Sequence, residues 1–173
     1  MLRNFQFVGL LISVLFQGWL RGQPASLALP LPLSSQLQGE DELGRMVKIS
    51  EFYGEIVIME IWAPWSPMCP RTSSQIIGLA RKLWRRGMRT RLIRYALESD
   101  RHRWRDYIRA FPYDMPWIVN MRDPLGHLSP MLTQLDIGKF PYLLVFAPDG
   151  NLIYYGTNIQ AARTVTLSAA RRW

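Results

Sequence analysis

The chain has 173 residues with a single cysteine, is 49% hydrophobic, and carries 21 Lys or Arg against 13 Asp or Glu, a formal charge of +8. That length supports one ordinary domain with a sizeable core. One cysteine excludes an intramolecular disulfide, and with it any dithiol cycle run by this chain alone, because exchange needs an attacking thiolate and a second thiol to resolve the mixed disulfide.

The chain opens with a basic start at Arg3 and an apolar run from Phe7 to Phe16, followed by Gln17, Trp19 and Arg21. The run is short for a membrane span and suits the apolar core of a signal peptide, with Ser26-Leu27-Ala28 as a small-residue cleavage site. An uncleaved membrane anchor is the alternative. No cysteine stands directly after the run, which excludes a lipoprotein anchor. Pro30, Pro32, Ser34 and Ser35 read as a tether. The expected organisation is therefore a signal peptide or anchor over 1–28, a linker over 29–39 and one domain over 40–173. An exported chain, periplasmic or secreted, meets oxidising conditions, where a lone cysteine points to a free thiol or an intermolecular partner.

Val57–Ile61 is short, apolar and β-branched, and predicts a buried strand. After a turn at Ser66–Cys69, Ile76, Ile77, Ala80, Leu83 and Trp84 form one apolar stripe of a helix. Arg81, Lys82, Arg85 and Arg86 occupy its other faces, and Gly87 is a natural stop. Arg91–Leu97 predicts the next strand. Arg101–Phe111 predicts a second helix, with Trp104, Tyr107, Ile108 and Phe111 on one side. Pro112, Pro116 and Pro124 punctuate a loop that contains Trp117, and Gly126–Leu135 reads as a short helix. Phe140–Phe146 predicts a strand opened by proline, Ala147–Gly150 a hairpin turn and Asn151–Tyr155 its return strand. The tail from Ile159 closes as an amphipathic helix. The plan is α/β, a central sheet flanked by helices.

The basicity is concentrated. Residues 81–109 hold eleven Arg or Lys against three Asp or Glu, and the rest of the chain balances. The functional reading is a dock for an acidic protein or an anionic membrane surface; the plain one is a solvated, arginine-rich helix face. Nucleic acid is a poor partner for an exported chain. His102 and His127 have no ligand-like spacing to each other or to Cys69, and the phosphate-cradling glycine motifs are missing, so no metal or other cofactor is expected.

The chemistry concentrates in one stretch. A strand bearing a single acid, Glu60, runs into Trp62-Ala63-Pro64-Trp65 and then Ser66-Pro67-Met68-Cys69. This resembles the active-site strand and helix start of a thioredoxin, with Ser66 in the place of the attacking cysteine. A second landmark, Lys139-Phe140-Pro141-Tyr142, resembles the loop whose proline is cis in thioredoxins. The lead-in from Met46 to Glu55 and the long stretch between Cys69 and Pro141 narrow the resemblance to exported TlpA/ResA-like thioredoxins, over about residues 40–157. It implies a thioredoxin fold with a helical insertion around Arg101–Pro124, before the cis-proline strand, and kinship with enzymes of thiol–disulfide exchange and redox homeostasis.

By that resemblance Ser66 stands at the nucleophile position, Cys69 at the resolving cysteine, and Glu60 at the buried acid that helps move its proton. Arg94 is the counterpart of a basic residue on the adjacent strand; a Glu60–Arg94 pair is expected to keep the glutamate ionised, since arginine holds its proton. Trp65, Phe140 and Pro141 would line a groove for an extended polypeptide or a partner thiol, with Trp62 and Trp65 packing first and forming the rim second. A serine hydroxyl does not attack disulfides, so dithiol turnover is not expected, and Cys69 retains at most monothiol chemistry. A second resemblance is to the peroxiredoxin Thr/Ser-x-x-Cys-Pro arrangement, matched by Ser66-Pro67-Met68-Cys69-Pro70, although the proline four residues earlier is replaced by Trp62. It implies a one-cysteine peroxidase using Cys69 with Ser66. For Cys69 two settings stay open: shielded inside the first helical turn, or near a cap where the helix dipole lowers its pKa.

Overall fold

The computed structural model describes residues 33–67, 69–113 and 115–172; the N-terminal apolar run and the cleavage site expected there lie outside the described residues. In chain order the elements are α1 (Leu33–Gln36), β1 (Gln38–Asp41), β2 (Met46–Lys48), β3 (Ile56–Trp62), α2 (Cys69–Trp84), β4 (Thr90–Ala96), α3 (Arg101–Ala110), β5 (Ile118–Arg122), α4 (Pro130–Gln134), β6 (Tyr142–Phe146), β7 (Leu152–Gly156) and α5 (Ile159–Ala169). Short 3-10 turns at Ile49–Phe52 and Gly126–Leu128 join them.

The seven strands form one mixed sheet in the order β2-β1-β5-β4-β3-β6-β7. β3 is central, parallel to β4 and antiparallel to β6, and β4 is parallel to β5. Every residue of β3 is buried, as its unbroken apolar run requires for a strand covered on both faces. Ile76, Ile77, Ala80 and Leu83 of α2 pack with Ile56 and Ile58 of β3 and Leu143 and Val145 of β6, and Ala162 of α5 joins them. The stripe seen in the sequence is thus the inner face of α2, except Trp84, which is 43% exposed.

Several expectations need correction. The domain begins earlier than residue 40: Leu33 and Ser34 are buried, and the Ser34 hydroxyl donates to the carbonyl of Gly150 at 2.9 Å. Residues 33–39, expected in the linker, are therefore part of the fold. The loop expected after Pro116 is a strand, β5, well inside the sheet, and Trp117 before it is buried. The second helix ends at Ala110, with Phe111 half exposed beyond it rather than on its packed side. The helix expected over Gly126–Leu135 is two pieces, a 3-10 turn and α4, separated at Ser129, whose hydroxyl accepts from the Met131 N–H.

The β1–β5 pairing explains why both strands escaped notice. Asn120 and Arg122 are buried polar residues of β5. Their partners come from the N-terminal hairpin: the Asn120 amide donates to Glu42 at 2.7 Å, and Arg122 pairs with Glu40. Arg101 of α3 reaches the same Glu40 at 3.0 Å. Burial here is achieved by matched charges rather than by an apolar pattern. Gly39 of β1 is required by contact, because a Cβ there would stand 2.7 Å from the Tyr95 ring and 2.9 Å from the Arg122 carbonyl oxygen.

Candidate functional site

The site forms where β3 ends and α2 begins. The chain leaves Trp62, turns through Ala63–Pro67 and enters α2 at Cys69. The Cys69 N–H donates to the Ser66 carbonyl at 3.3 Å, and the Ser66 N–H to the Ala63 carbonyl at 2.9 Å. Proline is at home in the first turn of a helix, where its missing donor is not needed, so Pro70 fits a helix begun at Cys69.

Cys69 is 3% exposed and sits in a cluster with Trp62, Ala96 and Trp104, against which Tyr107, Ile108 and Phe140 pack. Burial pushes its thiol pKa up; hydrogen bonds to the Ser66 side chain and the Ala63 backbone oppose this without reversing it, while the charge of Glu60 adds to the rise and that of Arg94 counters it. Of the two settings open in the sequence, the shielded one is found. A position at the start of α2 does not by itself activate the thiol, because the desolvation of a buried thiolate raises its pKa.

Glu60 lies two residues before the end of β3 and is fully buried. Its Oε1 accepts the Ser73 hydroxyl at 2.6 Å, and Arg94, its register partner on β4, approaches to 3.7 Å. Among the described residues, Glu60 Oε2 and Arg94 Nε have no hydrogen-bond partner. The expected pairing is therefore present, but its expected consequence is not. Burial raises the Glu60 pKa to about 7 against the lowering effects of Arg94 and Ser73. A contact of 3.7 Å without a hydrogen bond does not repay the cost of dehydrating a carboxylate, so Glu60 changes protonation near neutrality.

Arg94 is itself 5% exposed, its guanidinium carbon 5.2 Å from the Trp62 ring centre and 4.9 Å from that of Tyr113. Trp62 also meets Tyr107 edge to face. It is a packing residue, whereas Trp65, 58% exposed, is rim. Trp65 stands edge to face with Phe140 at 6.5 Å, and the Phe140–Pro141 peptide is cis, as the resemblance implied. Ser66, Cys69, Glu60, Arg94, Trp65, Phe140 and Pro141 thus gather around one end of the sheet.

Sequence reasoning missed Ser73, Tyr107 and Tyr113, which line the same cleft as Cys69 and Arg94. Ser73 carried a signal, since it lies four residues after Cys69 and so on the same helix face. Tyr113 carried none, because it follows Pro112 in irregular chain. The basic band does not hold together as one surface. Arg91 pairs with Glu55 at 2.8 Å, Arg94 is buried, and Arg101, Arg103 and Arg109 meet Glu40, Glu98 and Asp106. Arg81, Lys82, Arg85, Arg86 and Arg89 remain exposed at the far end of α2, with no ion pair among the described residues.

No family model matches the chain, and no curated protein matches it in sequence. Solved structures match its fold. A thiol-disulfide oxidoreductase from Bacteroides fragilis is 19% identical, with a TM-score of 0.64 over 76% of this chain and 94% of that one. A thioredoxin-like protein from Bacteroides vulgatus is 18% identical, with a TM-score of 0.66 over 79% and 85%. A secreted disulfide oxidoreductase from Mycobacterium tuberculosis, homologous to Escherichia coli DsbE, is 12% identical, with a TM-score of 0.59 over 80% and 99%. The chain has a thioredoxin-like fold, shared with thiol-disulfide oxidoreductases.

Proposed function

We propose that this chain is an extracytoplasmic thioredoxin-like protein that has kept the substrate groove and lost the dithiol. It binds an extended polypeptide or a partner thiol along Trp65, Ser66, Cys69 and the Phe140–Pro141 edge. The observation that carries this is the pairing of a serine at the nucleophile position with a sole cysteine only 3% exposed and raised in pKa. Ser66 supplies no thiolate, and Cys69 is both shielded and protonated at neutral pH, so chemistry is limited to one slow mixed disulfide that another protein must resolve. The secreted neighbour and the apolar run at 7–16 favour export, and no helix among the described residues is long and apolar enough to cross a membrane.

Reduction of an insulin-type disulfide, measured for the purified chain and for Ser66→Cys side by side, tests the reading. The expected result is background turnover by the natural chain and measurable turnover by Ser66→Cys, whose new thiol would lie beside Cys69. Robust turnover by the natural chain overturns it. A peroxidase would need a thiolate at Cys69, and the burial that raises its pKa weighs against that alternative.

A further inference from the structure

Beside the start of α2 lies a cleft of about 60 Å³, walled by Trp62, Tyr107, Phe111 and Tyr113. Since about 10–15 Å³ admits one water, the space takes a few waters or one small polar head. Arg94 bears the only permanent charge among the described residues lining it. Its guanidinium is 5% exposed and rests against two aromatic rings. Among the described residues its Nε has no hydrogen-bond partner, and its nearest carboxylate stays at 3.7 Å with one oxygen turned to Ser73. A buried guanidinium carries five donors in a planar fork, and leaving even one of them unfilled, here the Nε that faces Glu60, is costly.

The group that fits a planar fork at the bottom of an apolar-walled cleft is a carboxylate, accepted through two parallel N–H···O bonds. We infer that the cleft is a carboxylate subsite, in which Arg94 receives one acidic group of the bound polypeptide, a side-chain or a C-terminal carboxylate. This rests on the polypeptide-binding reading above and adds charge selectivity to it. The aromatic walls keep water away and so strengthen the charge interaction. Glu60 is the internal competitor: ionised, it shares Arg94; protonated, it leaves the guanidinium to the incoming anion. The groups facing Glu60 are Arg94 on β4, Ser73 and Cys69 on α2 and the apolar Leu143 on β6, with Tyr107 and Tyr113 on the cleft wall. Cys69, raised by burial, stays neutral in the range concerned. Since Glu60 titrates near 7 and an ordinary glutamate near about 4.3, the subsite works best between those values.

Three capped or free pentapeptides test this by Trp fluorescence at constant ionic strength: Ac-Ala-Ala-Glu-Ala-Ala-NH2, its Gln counterpart, and Ac-(Ala)5 with a free carboxylate. At pH 6 at least one carboxylate peptide is expected to bind about 10-fold tighter than the Gln peptide, as for a charge-assisted hydrogen bond, and which one does so separates side-chain from C-terminal recognition. The preference is expected to shrink by pH 8 in the natural chain, persist at pH 8 in Glu60→Gln, and vanish in Arg94→Gln. Should Arg94→Gln fail to fold, the pH 8 behaviour of Glu60→Gln still decides. Equal binding of all three peptides at pH 6 overturns the subsite and leaves the groove standing; no binding of any overturns both.

Discussion

Two residues define the site, one by what it lacks and one by where it is held. By its resemblance to the thioredoxin turn, Ser66 stands where a thiolate would attack, and Cys69 is held in an aromatic cluster with Trp62 and Trp104. Glu60 is the third, and its raised pKa has a consequence for stability. Between the ordinary value of 4.5 and about 7, the folded chain holds a proton that the unfolded chain has released. Stability therefore falls as pH rises through that window and levels off above it. At about 1.4 kcal/mol per pH unit, the full effect is about 3 kcal/mol. Urea midpoints measured from pH 4.5 to 8 are expected to fall in the natural chain and to lose most of that slope in Glu60→Gln. An identical slope in both would remove Glu60 as the cause. The Glu60–Arg94 partnership was legible through the thioredoxin resemblance, which implies a basic residue on the adjacent strand, and the register of β3 and β4 brings the two together. Sequence did not reveal the protonation state, which depends on a 3.7 Å gap and on complete burial.

Among the elements, those with apolar rhythm were legible and those held by polar pairing were not. β3, α2, β4, β6 and β7 all follow from their hydrophobic patterns. β1 reads Gln-Gly-Glu-Asp, a pattern that ordinarily marks a loop, and β5 reads Ile-Val-Asn-Met-Arg, a short strand pattern that the prolines on either side obscured. They enter the sheet because Glu40 and Glu42 meet Arg122 and Asn120 across the pair, a match that no local window contains. Caps behave more locally. The Asn158 side chain accepts from the N–H groups of Gln160 and Ala161 and so starts α5, which covers the sheet beside α2. Asn158→Ala is expected to cost about 1 kcal/mol in urea denaturation, with the groove and Cys69 reactivity unchanged. A loss below a few tenths would mean the helix start is held by packing alone.

For the whole molecule, the thioredoxin-like architecture was readable from two landmarks, the Trp-Ala-Pro-Trp turn after β3 and the Phe140–Pro141 edge, because the fold brings both to one end of the sheet. The electrostatic picture was not readable, since counting charges along the chain ignores partners in space. Six of the eleven basic residues between 81 and 109 are buried, ion-paired or, in the case of Arg105, bound to the Glu42 carbonyl. The exposed remainder lies at the far end of α2, away from Cys69 at its start. Were this patch a dock for an anionic membrane surface, exchange of Arg85, Arg86 and Arg89 for glutamate would change stability by no more than about 0.5 kcal/mol and abolish salt-dependent adsorption to anionic vesicles. Unchanged adsorption would reduce this patch to a solvated helix face.

The most direct measurement is the rate of Cys69 alkylation against pH in the folded protein, repeated in denaturant. A shielded thiol in a fold kept for binding reacts slowly across the neutral range and is released by unfolding. Fast alkylation of the folded chain, with an apparent pKa well below the ordinary value of about 8.5, would contradict it and return Cys69 to the role of an activated nucleophile.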